Sequence, residues 1–557
     1  MLYSSTVKIL LQSATLFLAS FPAVLSQTAY IPPDKPKLVV SIIVEQLRYD
    51  QVEKLRNMFG ENGIRRMMNE GTTFRNASFN YINSQSAPGH ATIATGTEPA
   101  FHGITSDYWY VPLRNEIIYC TADKEAKPAG GSFENGKHSP LQLISSTFAD
   151  ELSIATQGKA KIFSVGLKES SAILSAGHTA NGVYWFDDVT GTFMSGSYYM
   201  EELPGWVNDF NSLMLSQDYL GKVWSLLKGP EAYAGFPDDS NSFELGFGGV
   251  SWFPYDLKKM RSKGIPGNRK DYYLLRETPF GNSFTKDFAL RLIREENLGA
   301  DEIPDFLSVC FSATDYIGHR FGPSSVEAAD AILRLDNDIA GLLDFLNETI
   351  GKKNILVFFT AAHGVSEIPA LLEKNRIPSG YFMSNQAIQL LRIYLNAVYG
   401  QGDWIKGYFD NQIYLNRTLI EDARISLDDI QKRVARFLVQ HSGVAAAYPL
   451  SALETSYYSD GNLKKAYNNF IPQRSGDVLI VLSPGWVEKA EGRVTNHNSP
   501  YDYDTHVPLI WYGWTVNRAT VMRKVNMTDI SPTLSVFCGV PLPNASVGEP
   551  INELILR

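Results

Sequence analysis

The stretch Leu38-Val39-Val40-Ser41-Ile42-Ile43-Val44-Glu45-Gln46 decides how the rest of the chain is read. Six of its first seven residues are apolar, most are β-branched, and apolar and polar positions do not alternate. That pattern belongs to a strand buried on both faces, as in a parallel sheet covered by helices. Glu45 and Gln46 follow at once, and α/β sheets bind ligands just beyond the carboxyl ends of their strands.

The same pattern recurs at 306–311, 355–359, Val478–Leu482 and 507–511, and each run reads as a further buried parallel strand. Between 324 and 350, Ile332, Leu335, Ile339, Leu342, Leu343 and Leu346 recur at helical spacing with acidic residues opposite. Strands alternating with amphipathic helices imply an α/β fold, a mostly parallel sheet sandwiched by helices with inserted cap regions. Two regions break the rhythm. Residues from about 181 to 285, rich in Gly, Pro, Tyr and Trp, read as an irregular insertion whose aromatics serve packing rather than substrate stacking. Residues from about 375 to 475 read as a smaller cap, with helices at 386–399 and 427–440 and a strand at Gln412–Leu415.

Composition narrows the function. Of 557 residues, 44% are hydrophobic and 20% charged, which excludes wholesale disorder. Fifty basic against 59 acidic residues give a net charge of −9, which argues against nucleic-acid binding and against a basic membrane-binding face. Cys120, Cys310 and Cys538 cannot form a disulfide framework and are expected as buried thiols. Residues 1–26 read as a secretory signal: Lys8 is the only charge, 9–24 is mostly apolar, and Val24-Leu25-Ser26 offers a cleavage site before Gln27. A membrane anchor is the alternative, but Gln12, Ser13 and Pro22 interrupt the run, which is shorter than the roughly 20 residues a span needs. The remaining 27–557 is expected to be a periplasmic or secreted protein with no stable membrane span.

Polar residues cluster after the strands. Glu45 follows the first, Asp315 and His319 follow the second, Ala362-His363-Gly364 follow the third, and His506 opens the last. Carboxylate and imidazole together suit Zn²⁺, and Asp and His four apart can close on one ion from a single helical turn. A lone Asp-x-x-x-His is commonly a surface pair; the shared position of all these residues after separate strands points to one site. In Asn83-Ser84-Gln85-Ser86-Ala87-Pro88-Gly89-His90, Pro88 suits a first helical turn that Gly96 would stop. Ser86 then stands at a helix N-terminus that favours an anion or a developing alkoxide, or is simply its cap. His497 reads as a solvent loop residue or an outer partner of His506, and His102 as a turn residue.

Together these residues resemble the alkaline phosphatase superfamily, above all the periplasmic PafA-type alkaline phosphatases of Bacteroidetes. The resemblance runs from Lys37 to the C-terminus and is carried by 83–96, Phe101-His102-Gly103-Ile104, 167–178, Phe253-Pro254-Tyr255-Asp256-Leu257, Thr278-Pro279-Phe280-Gly281-Asn282, 313–319, 411–416 and 499–508. It implies a two-zinc site with a Ser or Thr nucleophile. Asp315, His319 and His506 would hold the first zinc, Ser86 would attack phosphorus, and Lys168 would contact a phosphoryl oxygen. The departures lie on the other side. Glu45 replaces an Asp ligand of the second zinc, Ala362 replaces another, and only His363 is kept. Asp107 stands where an Asn contacts substrate, and Ser170 where an Arg does. His90 stands where a sulfatase cassette needs Arg. The implied function is an exported, zinc-dependent phosphohydrolase with one sound zinc position and a weakened second, acting on a small phosphorylated substrate. A phosphodiesterase is a variant of that reading. The other reading is a weak or inactive member that binds a protein partner and keeps one structural zinc.

Overall fold

The computed structural model describes residues 35–262, 272–455 and 458–555, so the 1–26 leader lies outside the described residues. Lys35–Arg557 forms one compact unit. Its centre is an eleven-stranded sheet. The strands used below are β1 (Leu38–Val44), β2 (Thr72–Ser78), β3 (Pro128–Ala129), β4 (Ile162–Gly166), β5 (Gly182–Asp187), β6 (Thr192–Gly196), β7 (Asp305–Phe311) and β8 (Ile355–Ala361). The cap holds β9 (Ile405–Phe409), β10 (Gln412–Leu415), β11 (Val444–Pro449) and β12 (Val478–Leu482), and after it come β13 (His506–Gly513), β14 (Ala519–Val521) and β15 (Val525–Asn526). The order is β14-β2-β13-β8-β1-β7-β4-β5-β6-β3, with β15 beside β2.

The first apolar run is the middle of the sheet. β1 is buried at every residue and pairs in parallel with β7 on one side and β8 on the other. Register then places the chemistry. Val44 is level with Phe311 and with Ala361, so Glu45, Ser312 and Ala362 emerge side by side at one edge. The helix expected from the 3.6-residue spacing is α5 (Val326–Thr349), which buries Ile332, Leu335, Ile339, Leu342, Leu343 and Leu346. Each such side chain taken fully from water contributes about 1.5–3 kcal/mol, so this stripe fixes the helix to the sheet.

Three expectations need correction. The run at 507–511 is the strand β13, but it is antiparallel to β8 and to β2. Val478–Leu482 belongs to a separate four-stranded antiparallel sheet in the cap, with Ile405–Phe409, Gln412–Leu415 and Val444–Pro449. An unbroken apolar run reports burial of both faces and carries no information about direction or sheet. The insertion also starts later than 181, because β5 and β6 extend the main sheet through Gly196. The two cap helices form at Ser384–Tyr399 and Leu427–Leu438, and pack Leu391, Leu395, Ile430 and Val434 against the cap sheet. All three cysteines are free and buried.

Candidate active site

Four short segments bring the polar residues together. Glu45 and Gln46 leave β1; α4 (Ala313–Phe321) starts two residues after β7; His363 follows β8; and α1 (Ser86–Thr95) begins at Ser86. Gly96 closes α1 in the left-handed conformation, as its sequence requires. Gly89 allows α1 to approach: a Cβ there would lie 2.2 Å from the Ala362 carbonyl oxygen. Lys168 precedes α2 (Glu169–Ala176) and reaches over the same edge.

One half of the site is a cluster of Asp315, His319 and His497, whose ligand atoms all lie within 4.8 Å of one another. His319 donates from Nδ1 to the Thr495 carbonyl (3.0 Å), and His497 from Nδ1 to the Ser84 carbonyl (2.8 Å). Both rings therefore turn an Nε2 lone pair towards Asp315 Oδ1, at 3.2 and 3.7 Å. His319 Nε2 is buried and has no hydrogen-bond partner among the described residues. Burial, aided by the neighbouring Arg493, depresses His319, and burial with the adjacent imidazoles depresses His497 further. Neutral rings beside a carboxylate, one of them with a buried Nε2 that has no hydrogen-bond partner among the described residues, fit a zinc ligand set.

His506, expected here, is placed elsewhere. Its ring stacks on Tyr49 with centroids 4.6 Å apart, and Nε2 donates to the Arg75 carbonyl (2.9 Å). As the first residue of β13 it pairs with Ser78 of β2, a strand away from β8. The loop before β13 delivers His497 instead.

The other half surrounds Ser86. Its Oγ donates to Glu45 Oε2 (2.7 Å) and lies 3.2 Å from His363 Nε2. Lys168 Nζ donates to Glu45, to Asp315 Oδ2 (2.7 Å) and to Ser86 Oγ (3.2 Å). Ser171 and Ser312 donate to the second Glu45 oxygen, and the His90 ring stands 3.7 Å from it. Burial works to raise the Glu45 carboxyl, but the Lys168 ammonium and the His90 ring outweigh it and hold it well below the usual range. Burial lowers His363 to about 4, and its Nδ1 is spent on the Gly364 carbonyl (2.8 Å). Its neutral Nε2 thus faces Ser86 as an acceptor.

The fit to a second dication is poorer here: Ala362 supplies no ligand, and the Lys168 ammonium already hydrogen-bonds Glu45, the one carboxylate left to it. Asp107 sits at the rim, where Oδ1 accepts from the Ala87 amide (3.4 Å), the donor that α1 would offer an anion. Burial, reinforced by Asp410, pushes the Asp107 carboxyl up to about 7. The cleft in front, about 410 Å³, is lined by Ser86, Asp107, Lys168, Asp315, His319 and Arg493 among others.

Gln46 follows the first strand as read from sequence, but its role was not foreseen. It adopts a left-handed backbone (φ 59°), and its side chain lies over Gly318 and donates to Asp315 Oδ1 (2.8 Å). That conformation is uncommon for a non-glycine residue, and here it turns the side chain back onto Asp315.

The sequence profile of the type I phosphodiesterase / nucleotide pyrophosphatase family matches residues 39–505. The chain belongs to this family. It is 35% identical to alkaline phosphatase PhoV of Synechococcus elongatus, over 96% of this chain and 95% of that protein. It is 34% identical to alkaline phosphatase PafA of Elizabethkingia meningoseptica, over 94% and 95%. The crystal structure of wild-type PafA superposes with a TM-score of 0.89, covering 94% of this chain and 99% of the other. The fold is that of the alkaline phosphatase superfamily, and by family the chain is a phosphoric ester hydrolase. No helix among the described residues is long and apolar enough to cross a membrane.

Proposed function

We propose that this is an exported phosphohydrolase that works with one zinc and one lysine where its relatives' resemblance implies two zincs. The observation that carries this reading is the position of Lys168 Nζ, within hydrogen-bond distance of Ser86, Glu45 and Asp315 at once. Asp315, His319 and His497 would hold the zinc, which supplies charge stabilisation at the leaving oxygen and acidifies water. The rest is done by the chain. Ser86 Oγ attacks phosphorus as the P–O bond to the leaving group breaks, and its proton passes to His363 Nε2, which is neutral and 3.2 Å away; water then cleaves the phosphoserine, releasing the phosphate product and regenerating Ser86. Glu45 holds the hydroxyl in place, and Lys168 stabilises the alkoxide and then a phosphoryl oxygen. One divalent and one monovalent cation neutralise less charge than two dications. A phosphodiester monoanion is therefore the better matched substrate and a monoester dianion the poorer one.

A second reading is favoured by Asp107: with its carboxylate on the Ala87 amide, the site would hold ligands or a protein partner and turn over esters poorly. Zinc-reconstituted protein, assayed on an aryl phosphodiester and an aryl monoester beside Ser86→Ala, separates the two. The proposal expects one zinc per chain by elemental analysis, and diester turnover that Ser86→Ala lowers by about 10³-fold or more. Equal rates for both proteins, with the zinc in place, would favour the second reading.

A further inference from the structure

Arg276 lies in the turn before α3 (Phe280–Glu295) and is 6% exposed. Its guanidinium joins separate parts of the chain. Nη1 donates to the Leu167 carbonyl (2.8 Å) and to the Tyr316 hydroxyl (3.2 Å), Nη2 donates to the Phe186 carbonyl (2.9 Å), and Nε lies 3.3 Å from Asp188 Oδ2. Leu167 and Phe186 each stand one residue past Gly166 and Trp185, the last parallel pair of β4 and β5. One planar fork thus spans the two carbonyls where that ladder ends, which the point charge of a lysine would not do.

Both flanks of Lys168 meet on this side chain. The Leu167 carbonyl belongs to the peptide that leads into Lys168. Tyr316, on α4, presents its ring to the ammonium, with Lys168 Nζ 5.0 Å from the centroid. Arg276 therefore holds the backbone of the lysine with one contact and, with another, the aromatic surface against which its ammonium rests. Closing the sheet edge accounts for the two carbonyl contacts but not for the bond to Tyr316. Bracing α4 does not account for it either. The Ala313 amide donates to Asn282 Oδ1 (3.0 Å) and Arg320 donates to Glu277 (2.6 Å), so both ends of that helix are already tied to this segment.

We propose that Arg276 is a positioning residue for the Lys168 ammonium, acting through the Leu167 carbonyl and the Tyr316 ring and touching no substrate itself. This role rests on the reading of Lys168 as the fixed cation of the site. Lys168 Nζ has to reach Glu45, Ser86 Oγ (3.2 Å) and Asp315 Oδ2 (2.7 Å) together. A metal ion is held by its ligands from several sides, whereas an ammonium sits at the end of a flexible four-carbon stem. Such a group is placed only as well as the residues that support it. Fixing the Leu167 peptide sets where the stem starts, and the Tyr316 ring limits where it ends. A misplacement of about 1 Å costs up to about 10²-fold in rate.

The test uses the full zinc-reconstituted protein and an aryl phosphodiester. Arg276→Lys keeps the charge and loses the fork; Tyr316→Phe keeps the ring and loses only the hydroxyl contact. Arg276→Lys should lower kcat by about tenfold or more and Tyr316→Phe by about threefold, with KM and zinc content little changed. The affinity for orthovanadate, a mimic of the transferring phosphoryl group, should weaken in step with kcat, because the displaced ammonium is missed in the transition state more than in the ground state. In a Lys168→Met background neither substitution should weaken orthovanadate binding further. That background carries Glu45→Gln as well where the single variant does not fold. Equal losses in the two backgrounds overturn the role of Arg276 and leave that of Lys168 standing, as does an unaltered kcat in Arg276→Lys. Wild-type turnover and orthovanadate affinity in Lys168→Met would strike the lysine reading itself, and the role of Arg276 with it. Should Arg276→Lys fail to fold, Tyr316→Phe, which leaves the carbonyl contacts of Arg276 in place, decides by the same comparison.

Discussion

The two halves of the cleft are made of similar residue types and do opposite things. In the Asp315, His319, His497 half, each imidazole spends Nδ1 on a backbone carbonyl and aims a free Nε2 inward. In the Glu45, Ser86, His363 half, both Glu45 oxygens are already engaged, one by Ser86 and the Lys168 ammonium and the other by Ser171 and Ser312. A site that keeps lone pairs free is built for an ion from solution. A site that carries its own ammonium has closed that option, and gains a fixed charge that no chelator removes. Ala362 is the hinge of the difference, since the carboxylate it lacks is what a second dication would need to compete with Lys168.

The largest effect should come from breaking the half that carries its own cation. Lys168→Met leaves Glu45, which is 0% exposed, without its ammonium. Breaking a buried pair by removing one partner costs about 3–5 kcal/mol, and denaturant unfolding should show a loss of that order. Activity should fall with it. Recovery of stability in the double variant with Glu45→Gln would confirm that the cost is the stranded carboxylate; no loss at all would mean that the lysine is free to leave, as in a site that still accepts a second metal.

Breaking the other half is next. His497→Ala should lose zinc and turnover by more than the about 10–100-fold that removal of an outer partner costs, while His506→Ala keeps both. Zinc content after dialysis distinguishes them. If His506→Ala is the variant that loses zinc, the contrast between the halves has been drawn around the wrong ring.

That pair of histidines also marks the limit of what the sequence discloses. The sheet was legible because burial on both faces writes itself as an unbroken apolar run, and parallel register then lines up Glu45, Ser312 and Ala362 without further information. Asp315 and His319 were legible because they share one helical turn. His497 was not, because it arrives on an irregular loop, and only its distance from Asp315 reveals it. The rule that ligands follow strands chose His506, which does open a strand but in the neighbouring, antiparallel position. Strand direction was lost for the same reason at Val478–Leu482. The role of Gln46 was equally silent, since no local pattern announces a hydrogen bond to Asp315, 269 residues on.

The smallest effect is the most discriminating, because it tests whether the rim belongs with the closed half or hinders it. Asp107 has its carboxyl raised to about 7 from an ordinary 3.8, chiefly by burial. The folded protein therefore holds a proton between about pH 4 and pH 7 that the unfolded chain has released, so this group's contribution to stability falls as pH rises through that window. Below about 7 the neutral carboxyl tolerates a phosphoryl group at the Ala87 amide; above it, the carboxylate repels one. Wild-type kcat/KM for an aryl monoester should thus decline as pH rises through 7. Asp107→Asn should remove both slopes and raise kcat/KM above pH 7 by about tenfold, equivalent to about 1.4 kcal/mol. A profile for the variant parallel to that of the wild type would assign the titration to another group and clear Asp107 of hindering the site.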